Sequence, residues 1–429
     1  MIAALWGFAA VLLFSFIGLP LAFVTLIVGL VGFAWLRGWN WSGALATTGQ
    51  QVMEAANYGL SVIPLFLLMG IFIHRSHVSE DLFRAAYAAV GARRGGLAQA
   101  SVLACAGFSA VSGSSLATAA TMTRVAMPHM RRYGYDDRLS SGVVAAGGTL
   151  GIMIPPSVPL ILYGLVAEQD IGKLFVAGMI PGVLLIAVYM GAVWLTVMRN
   201  PEIGPAGEPL SRAEKISAFL RVWPILLLFG IVLGGIYFGI FTPTEAAGIG
   251  AGGAGIFALL RGGIRSFGDL SGMLIEATRT TAILFAVIFG TLVFANFINL
   301  SGLPYDLLDL TETLGLGSMG LAICVICVLL GMIFETIGLL LLIVPVFLPA
   351  LYGMGVDLIW FGIVMVVVIE LGLITPPIGM NVFTVKSVMP DIALGRIFRG
   401  VMPFVLADLV ALALILIFPV IAVGLVGLM

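Results

Sequence analysis

Two pairs of short stretches carry hydroxyl, carbonyl and carboxylate groups inside otherwise apolar sequence. The first pair is Ser112-Gly113-Ser114-Ser115 and Gly148-Thr149-Leu150-Gly151, the latter running into Ile154-Pro155-Pro156-Ser157. The second is Glu335-Thr336 and Thr375-Pro376-Pro377-Ile378-Gly379. In both, a Pro-Pro pair follows the polar residue by 41 positions, Ser114 to Pro155 and Glu335 to Pro376. Proline has no N–H to give, so it frees an upstream carbonyl from its helical partner. Freed carbonyls and half-helix C-terminal ends suit a cation, whereas the N–H groups of half-helix N-termini suit a carboxylate. Two pseudo-symmetric cation sites follow. One uses Ser112, Ser114 and Ser115 with the carbonyls of Gly148, Thr149 and Gly151; the other uses Glu335 and Thr336 with Thr375, Pro376 and Gly379. Ligation by oxygen alone favours a hard ion, Na⁺. A purely proton-coupled carrier is expected to show more intramembrane carboxylate or histidine relays. Ser115, Pro155, Pro156, Pro377 and Asn381 are assigned to the substrate cavity, where Asn381 orients a carbonyl or touches substrate.

Bland readings compete with each of these. Serine and glycine in membrane helices often serve close packing, and a lone Pro-Pro pair is a kink. Recurrence of tip, spacing and Pro-Pro pair in both halves is what argues for a shared binding role. Glu335 and Glu370 stand out, because a carboxylate at a membrane helix centre costs about 2.5–3.5 kcal/mol or more; a cavity or partner must solvate them. Asp408, Glu245 and Glu276 are compatible with an interfacial position and are left unassigned. Cys324-x-x-Cys327 has no second pair beside it, so those thiols and Cys105 read as buried apolar groups. His74, His77 and His129 fall in polar, loop-like stretches and form no ligand cluster.

The elements that must hold these residues are membrane helices. Charged residues are 10% of the chain and mean hydropathy is +1.17, against about 25% charged in soluble domains. Runs such as Ile225–Phe241, Thr281–Leu300 and Val401–Met429 reach or approach the ~20 residues that span a bilayer. The chain is read as an all-α polytopic membrane protein. No basic tract with interleaved aromatics points to nucleic acid, and the apolar start at Ile2 reads as a retained helix.

Much of the second half repeats the first at a constant offset of 221 residues: Gly96/Gly317, Pro128/Pro349, Asp136/Asp357, Gly151/Gly372, Pro155/Pro376 and Pro156/Pro377. Six arginines (Arg93, Arg94, Arg124, Arg131, Arg132, Arg138) lie between Gly91 and Leu139, while Glu312–Trp360 has no Lys or Arg. Basic residues mark cytoplasmic loops, so the two copies have opposite topology. Inverted repeats with Gly/Pro-interrupted helices are the pattern of secondary transporters. The first repeat covers 1–199, with a hairpin at 96–132 and a broken helix at 139–168. A cytoplasmic link covers 200–221. The second repeat covers 222–429, with a hairpin at 316–352 and a broken helix at 357–389. Both hairpins are read as re-entrant, since irregular backbone at membrane depth must line a cavity or be buried in protein. Ten crossings and two hairpins place both termini outside, with Arg37 the one basic residue on the wrong side.

Val111-Ser112-Gly113-Ser114-Ser115-x-Ala117, Gly148-Thr149-Leu150-Gly151-x-x-Ile154-Pro155-Pro156-Ser157, Phe334-Glu335-Thr336 and Glu370-x-Gly372-x-Ile374-Thr375-Pro376-Pro377-x-Gly379-x-Asn381 resemble the large membrane (M) subunit of TRAP transporters, the DctM family of tripartite ATP-independent periplasmic carriers. The likeness covers nearly the whole chain. It implies Na⁺-driven import of a small carboxylate across the bacterial inner membrane, by an elevator-type transport domain moving against a scaffold. It also implies two partners: a periplasmic substrate-binding (P) protein and a small four-helix membrane (Q) subunit, expected here as a separate chain. Two other classes compete, a stand-alone Na⁺/anion symporter of citrate type and a membrane-embedded hydrolase using Ser114. No His or Lys near either tip serves the latter as base, and no enzyme is expected. A passive channel predicts flux without ion coupling.

The inverted reading has a direct test. Single cysteines at Gly95 and Gly355, in a background lacking the three native ones, are expected to label from the cytoplasmic and periplasmic sides respectively; labelling of both from one side refutes it.

Overall fold

The computed structural model describes every residue except Met1, His77 and Gly315, and the side chains of all the rest apart from Val111 and residues 311–319. His77 thus lies outside the described residues. Ahead of the first hairpin come α1 (Ile2–Phe16), α2 (Leu21–Leu36), the amphipathic α3 (Trp41–Ala55), α4 (Val62–His74) and α5 (Val78–Val90). The hairpin is α6 (Gly96–Ser112) and α7 (Ser115–Arg132). The broken helix is α8 (Asp137–Met153) and α9 (Val158–Val166), and α10 (Ile171–Arg199) follows. The second half runs α11 (Arg212–Tyr237), α12 (Pro243–Leu260), α13 (Phe267–Leu300) and α14 (Leu303–Leu314). Its hairpin is α15 (Leu316–Gly331) and α16 (Thr336–Gly353), its broken helix α17 (Leu358–Ile374) and α18 (Met380–Val388). The chain closes with α19 (Leu394–Ile417) and α20 (Val420–Val423). Five helices (α10, α11, α13, α16 and α19) are individually long and apolar enough to cross a membrane, and the α8–α9 pair is bent by 41° at its break.

Several elements differ from the sequence expectation. The link is shorter than 200–221, because α11 begins at Arg212: Ser211 and Glu214 form a capping box, each side chain meeting the other's backbone N–H. The apolar run Thr281–Leu300 is only the later part of one 34-residue helix, α13, which starts at Phe267 among polar residues and is capped by Ser266 and Asp269. Neither α5 nor α14 was expected. His74 ends α4 and His129 sits within α7, its ring stacked on Phe83 at 5.3 Å, so neither is a loop residue.

The helices form two groups. In one, α2 lies along α13 and α4 along α12, with α1 and α11 beside them; the other gathers both hairpins and both broken helices with α10 and α19. Within the second group, α8 of the first half and α19 of the second approach to backbone contact. A side-chain carbon added at Gly142 would stand 2.3 Å from the Gly400 carbonyl.

Polar contacts fasten the ends. Arg131 at the base of the first hairpin bridges Asp137 (2.7 Å) and Asp391 (2.5 Å), and Arg396 reaches Asp136 at 3.1 Å. The Arg131 guanidinium holds the Asp391 carboxyl below the usual carboxylate range. The connection after α10 is strapped to the same base: Gly95 N–H donates to Gly204 O (2.8 Å), Asp136 N–H to Ile203 O (3.1 Å) and Gly207 N–H to Gly91 O (3.2 Å). Tyr87 Oη donates to Glu208 O at 2.8 Å. At the far end of the first broken helix, Tyr163 Oη donates to Leu358 O (2.5 Å) and Tyr352 Oη to Ala167 O (3.5 Å). The base of the second hairpin therefore sits at the opposite end of α8–α9 from the base of the first.

Gly142→Ala or Gly400→Ala forces α8 and α19 apart, and overpacking of this kind costs about 1–3 kcal/mol. Gly248→Ala, in α12 with open space around it, is expected to be neutral or slightly stabilising. Thermal unfolding of the purified variants in detergent checks the contrast.

Candidate functional site

At the first tip α6 ends at Ser112, and Gly113 turns the chain at φ +59°, a conformation that suits glycine. Ser114 is extended and caps α7, its Oγ accepting from Ala117 N–H at 3.4 Å. The Ser114 carbonyl accepts from Ser112 Oγ (3.3 Å) and Thr118 Oγ1 (2.8 Å). This tip lies directly on the end of α8. A side-chain carbon at Gly151 would stand 3.1 Å from Ser114 O, and one at Gly148 2.8 Å from Ala119 Cβ. One at Gly113 would be 3.2 Å from Val158 Cγ2, at the start of α9. The first tip, the end of α8 and the break thus share one buried spot, with Pro155 and Pro156 buried too.

Loss of proline N–H groups is partly repaired there. Pro156 has no N–H to donate to Ile152 O, and Ser157 Oγ takes its place at 2.5 Å. Pro155 likewise has none to donate to Gly151 O. Thr149 offers only its backbone, because its Oγ1 donates to Ala146 O (2.7 Å) and meets Tyr189 Oη at 3.0 Å on the α10 side.

Asn381 belongs with this spot although it comes from the second half. It is fully buried. Its Nδ2 donates to Ala145 O at 3.0 Å, and its Oδ1 accepts from Ser115 Oγ at 3.3 Å. Ser115 and Asn381 are thereby engaged with each other, away from the large cavity described next.

At the second tip Glu335 caps α16 with no side-chain capping bond. Thr336 is 2% exposed, and its hydroxyl has no partner among the described residues. At the second break the Thr375 hydroxyl donates to Leu371 O at 2.5 Å. Gly379 takes φ +62°, and a side-chain carbon there would meet Thr375 O at 3.2 Å and Leu373 O at 3.3 Å. Two carbonyls therefore turn toward Gly379. Gly372 lets the end of α15 press on α17, since a carbon on it would be 2.7 Å from Gly331 C. Unlike the first Pro-Pro pair, Pro376 and Pro377 are exposed. A cavity of about 450 Å³ opens beside this tip and break, walled by Leu12, Ser15 and Phe16 of α1, by α13 near Leu284, and by Phe334, Glu335, Ile378 and Met380. Among the described residues Glu335 is the only charged one in its lining.

Glu370 and Asp408 are both fully buried, and neither carboxylate has a hydrogen-bond partner among the described residues. Asp408 is thus interior to α19, not interfacial. Tyr189, on α10, lies beside both: its ring packs edge-on to Phe404 at 5.4 Å, one turn before Asp408. Sequence reasoning passed over Tyr189, whose only signal is an aromatic hydroxyl in an apolar helix. Of the other acids, Glu245 forms a capping box with Thr242 and Glu276 pairs with Arg75 at 3.1 Å. Among the described residues no three His, Cys, Asp or Glu side chains gather as metal ligands.

Residues 8–421 match the family model described as "Tripartite ATP-independent periplasmic transporter, DctM component". The chain is 38% identical over 372 residues to the C4-dicarboxylate TRAP transporter large permease protein DctM of Pseudomonas aeruginosa, covering 86% of each. It is 32% identical to the sialic acid TRAP transporter large permease protein SiaM of Vibrio cholerae, covering 98% of this chain and 96% of that one. It is also 32% identical to the 2,3-diketo-L-gulonate TRAP transporter large permease protein YiaN of Escherichia coli, covering 91% of each. Among solved structures, the fold resembles the Alcanivorax borkumensis YdaH transporter, with TM-score 0.62 and 16% identity over 87% of this chain and 88% of that one.

Asn381→Ala strips a buried hydroxyl and a buried carbonyl of their partner at once, a loss of about 1–3 kcal/mol. Ser115→Ala removes one weaker bond and is expected to cost less. Paired unfolding curves of the two variants measure the difference.

Proposed function

The chain belongs to the DctM-component family of tripartite ATP-independent periplasmic transporters, and from that premise we propose that it imports a small carboxylate across the bacterial inner membrane by Na⁺-coupled elevator movement. It is a multi-pass membrane protein and the large permease subunit of a secondary transporter, not an enzyme. Such a permease works with a periplasmic binding protein and a small membrane subunit.

The meeting of each hairpin tip with a helix end broken at Pro-Pro carries the proposal. At the first site, Na⁺ is held by oxygens at the tip, Ser112 and Ser114, and by the Gly151 carbonyl that Pro155 leaves without a donor. At the second, the unpartnered Thr336 hydroxyl and the carbonyls of Leu373 and Thr375 are the ligands. Glu335 gives a reason for coupling. A carboxylate entering a cavity whose only charge is another carboxylate is repelled (about 4 kcal/mol for two charges at 4 Å near a protein surface). Cations bound first cancel that repulsion, so substrate waits for Na⁺.

The grouping of helices supports an elevator: on this reading α6–α10 and α15–α19 carry the sites, while α1, α2, α4 and α11–α13 form the frame. On the charge-based orientation the α1–α2 turn is cytoplasmic. The 450 Å³ cavity, with exposed Phe16 and Leu19 at its mouth, then faces inward and represents the release side.

Na⁺ is expected to stabilise the purified chain against heat where K⁺ and choline do not. Ser112→Ala and Thr336→Val are each expected to weaken the apparent Na⁺ affinity several-fold, in line with about 0.5–1.5 kcal/mol for one polar contact. Cys324→Ala and Cys327→Ala leave it unchanged. Equal stabilisation by all three cations refutes the Na⁺ sites.

A further inference from the structure

A second cavity, of about 570 Å³, lies at the base of the first hairpin, at the other end of α7 from the tip. Its two long walls are helix faces. From α5 come Glu80, Arg84 and Tyr87, spaced four and three apart; from α7 come Arg124 and Arg132, two turns apart, with His129 between them. Arg221 of α11 closes one end. Phe83 stacked on His129 forms an apolar floor, and Tyr87 packs near Tyr133 at 6.3 Å.

The charges do not cancel. Asp81 is already neutralised, since Arg261 holds one of its oxygens and Arg221 stands 3.8 Å from the other. Arg84, Arg124 and Arg132 are exposed, and none makes an ion pair with a described residue. Among the described residues Glu80 is the lining carboxylate left, and Glu214 of α11, outside the lining, attracts Arg84 without forming an ion pair with it. Three unpaired guanidinium groups around a cavity with an apolar floor form a receptor for an oxyanion.

We infer that this cavity binds the phosphodiester headgroup of an anionic phospholipid. A free anion would use the same arginines, so the choice rests on what lies next to them. Ile216, Phe219, Leu220 and Trp223 flank Arg221 on α11 and are 60%, 48%, 61% and 51% exposed. At i, i+3, i+4 and i+7 they share one outward side of α11, on the same turns as Arg221 but outside the cavity lining, and acyl chains lie along that side, with Trp223 at the level where tryptophan is enriched in membranes. Basic pockets between membrane helices on the cytoplasmic side are recognised sites for lipid headgroups, and this pocket sits among the arginines that mark that side. The occupant wedges between α5 and α11 on one wall and the hairpin arm α7 on the other. The inference rests on the chain being a membrane protein and not on Na⁺ coupling.

The full chain, purified in detergent, is offered phosphatidylglycerol, phosphatidylcholine or inorganic phosphate, and bound lipid is counted by native mass spectrometry. Phosphatidylglycerol is expected to remain bound, phosphatidylcholine to be lost, and phosphate not to displace the lipid. Arg84→Ala, Arg124→Ala and Arg132→Ala are each expected to weaken phosphatidylglycerol about fivefold. Arg93→Ala and Arg94→Ala, at the same end of the molecule but outside the cavity, leave it unchanged. The three arginines are exposed and unpaired, so each variant is expected to elute as the parent does, and the positions are read separately should one fail. Equal retention of both lipids, displacement by phosphate, or equal weakening by the Arg93 and Arg94 variants overturns the assignment, the last two by identifying a free-anion site and a general surface attraction.

Discussion

A backbone N–H or C=O in hydrocarbon must find a partner within the protein, and much of this molecule is arranged around the two places where its helices break that rule. Each Pro-Pro pair deletes two donors at membrane depth. Ser157 replaces one at the first break, and at the second the Thr375 hydroxyl turns back on Leu371 while Gly379 leaves room for two carbonyls. A break can be tolerated only if protein wraps it. That is why the hairpin tips reach inward to cover it, and why Gly148, Gly151 and Gly372 stand where a tip or helix end must come close. On the proposed Na⁺ coupling, the binding chemistry is a by-product of incomplete repair: the carbonyls left over are the ones the cation uses.

The same backbone device carries different side chains in the two halves. The first tip offers serines and lies over a buried break. The second offers Glu335 and Thr336 beside an exposed break and a cavity. Thr149 and Glu370 occupy equivalent positions of the repeat, yet one ends in a hydroxyl shared with Tyr189 and the other in an unpartnered carboxylate. Asn381 crosses between the halves, so the first site is finished by a residue from the second. Geometry is repeated; electrostatics are not.

Much of this was legible in the sequence for physical reasons. Apolar length gives spans, proline removes donors wherever it stands, and a constant offset between Ser114/Glu335 and Pro155/Pro376 reports two copies of one backbone path. Other features were hidden. Helices α5 and α14 are short and amphipathic, with no apolar run to announce them. The start of α11 looked like loop because Arg212, Lys215 and Arg221 are polar, although the Ser211–Glu214 capping box was there to be read. Which way Thr149 points, and that Asn381 reaches Ala145 and Ser115 across the repeat boundary, depends on helix rotation and packing between segments over two hundred residues apart. Tyr189 is indistinguishable in sequence from any aromatic residue in a lipid-facing helix.

The segment joining the halves behaves unlike a flexible tether. A free chain of this length would let its ends wander, with a separation growing as about 5–6 Å times the square root of its residue number. Here three backbone hydrogen bonds, from Gly95, Asp136 and Gly207, and the Tyr87 hydroxyl fasten it along the hairpin base before it turns into α11. Such a strut transmits displacement instead of absorbing it. On the proposed elevator movement, a shift of the first hairpin along the membrane normal pulls on the foot of α11, and the joint acts as a lever arm whose length sets part of the stroke.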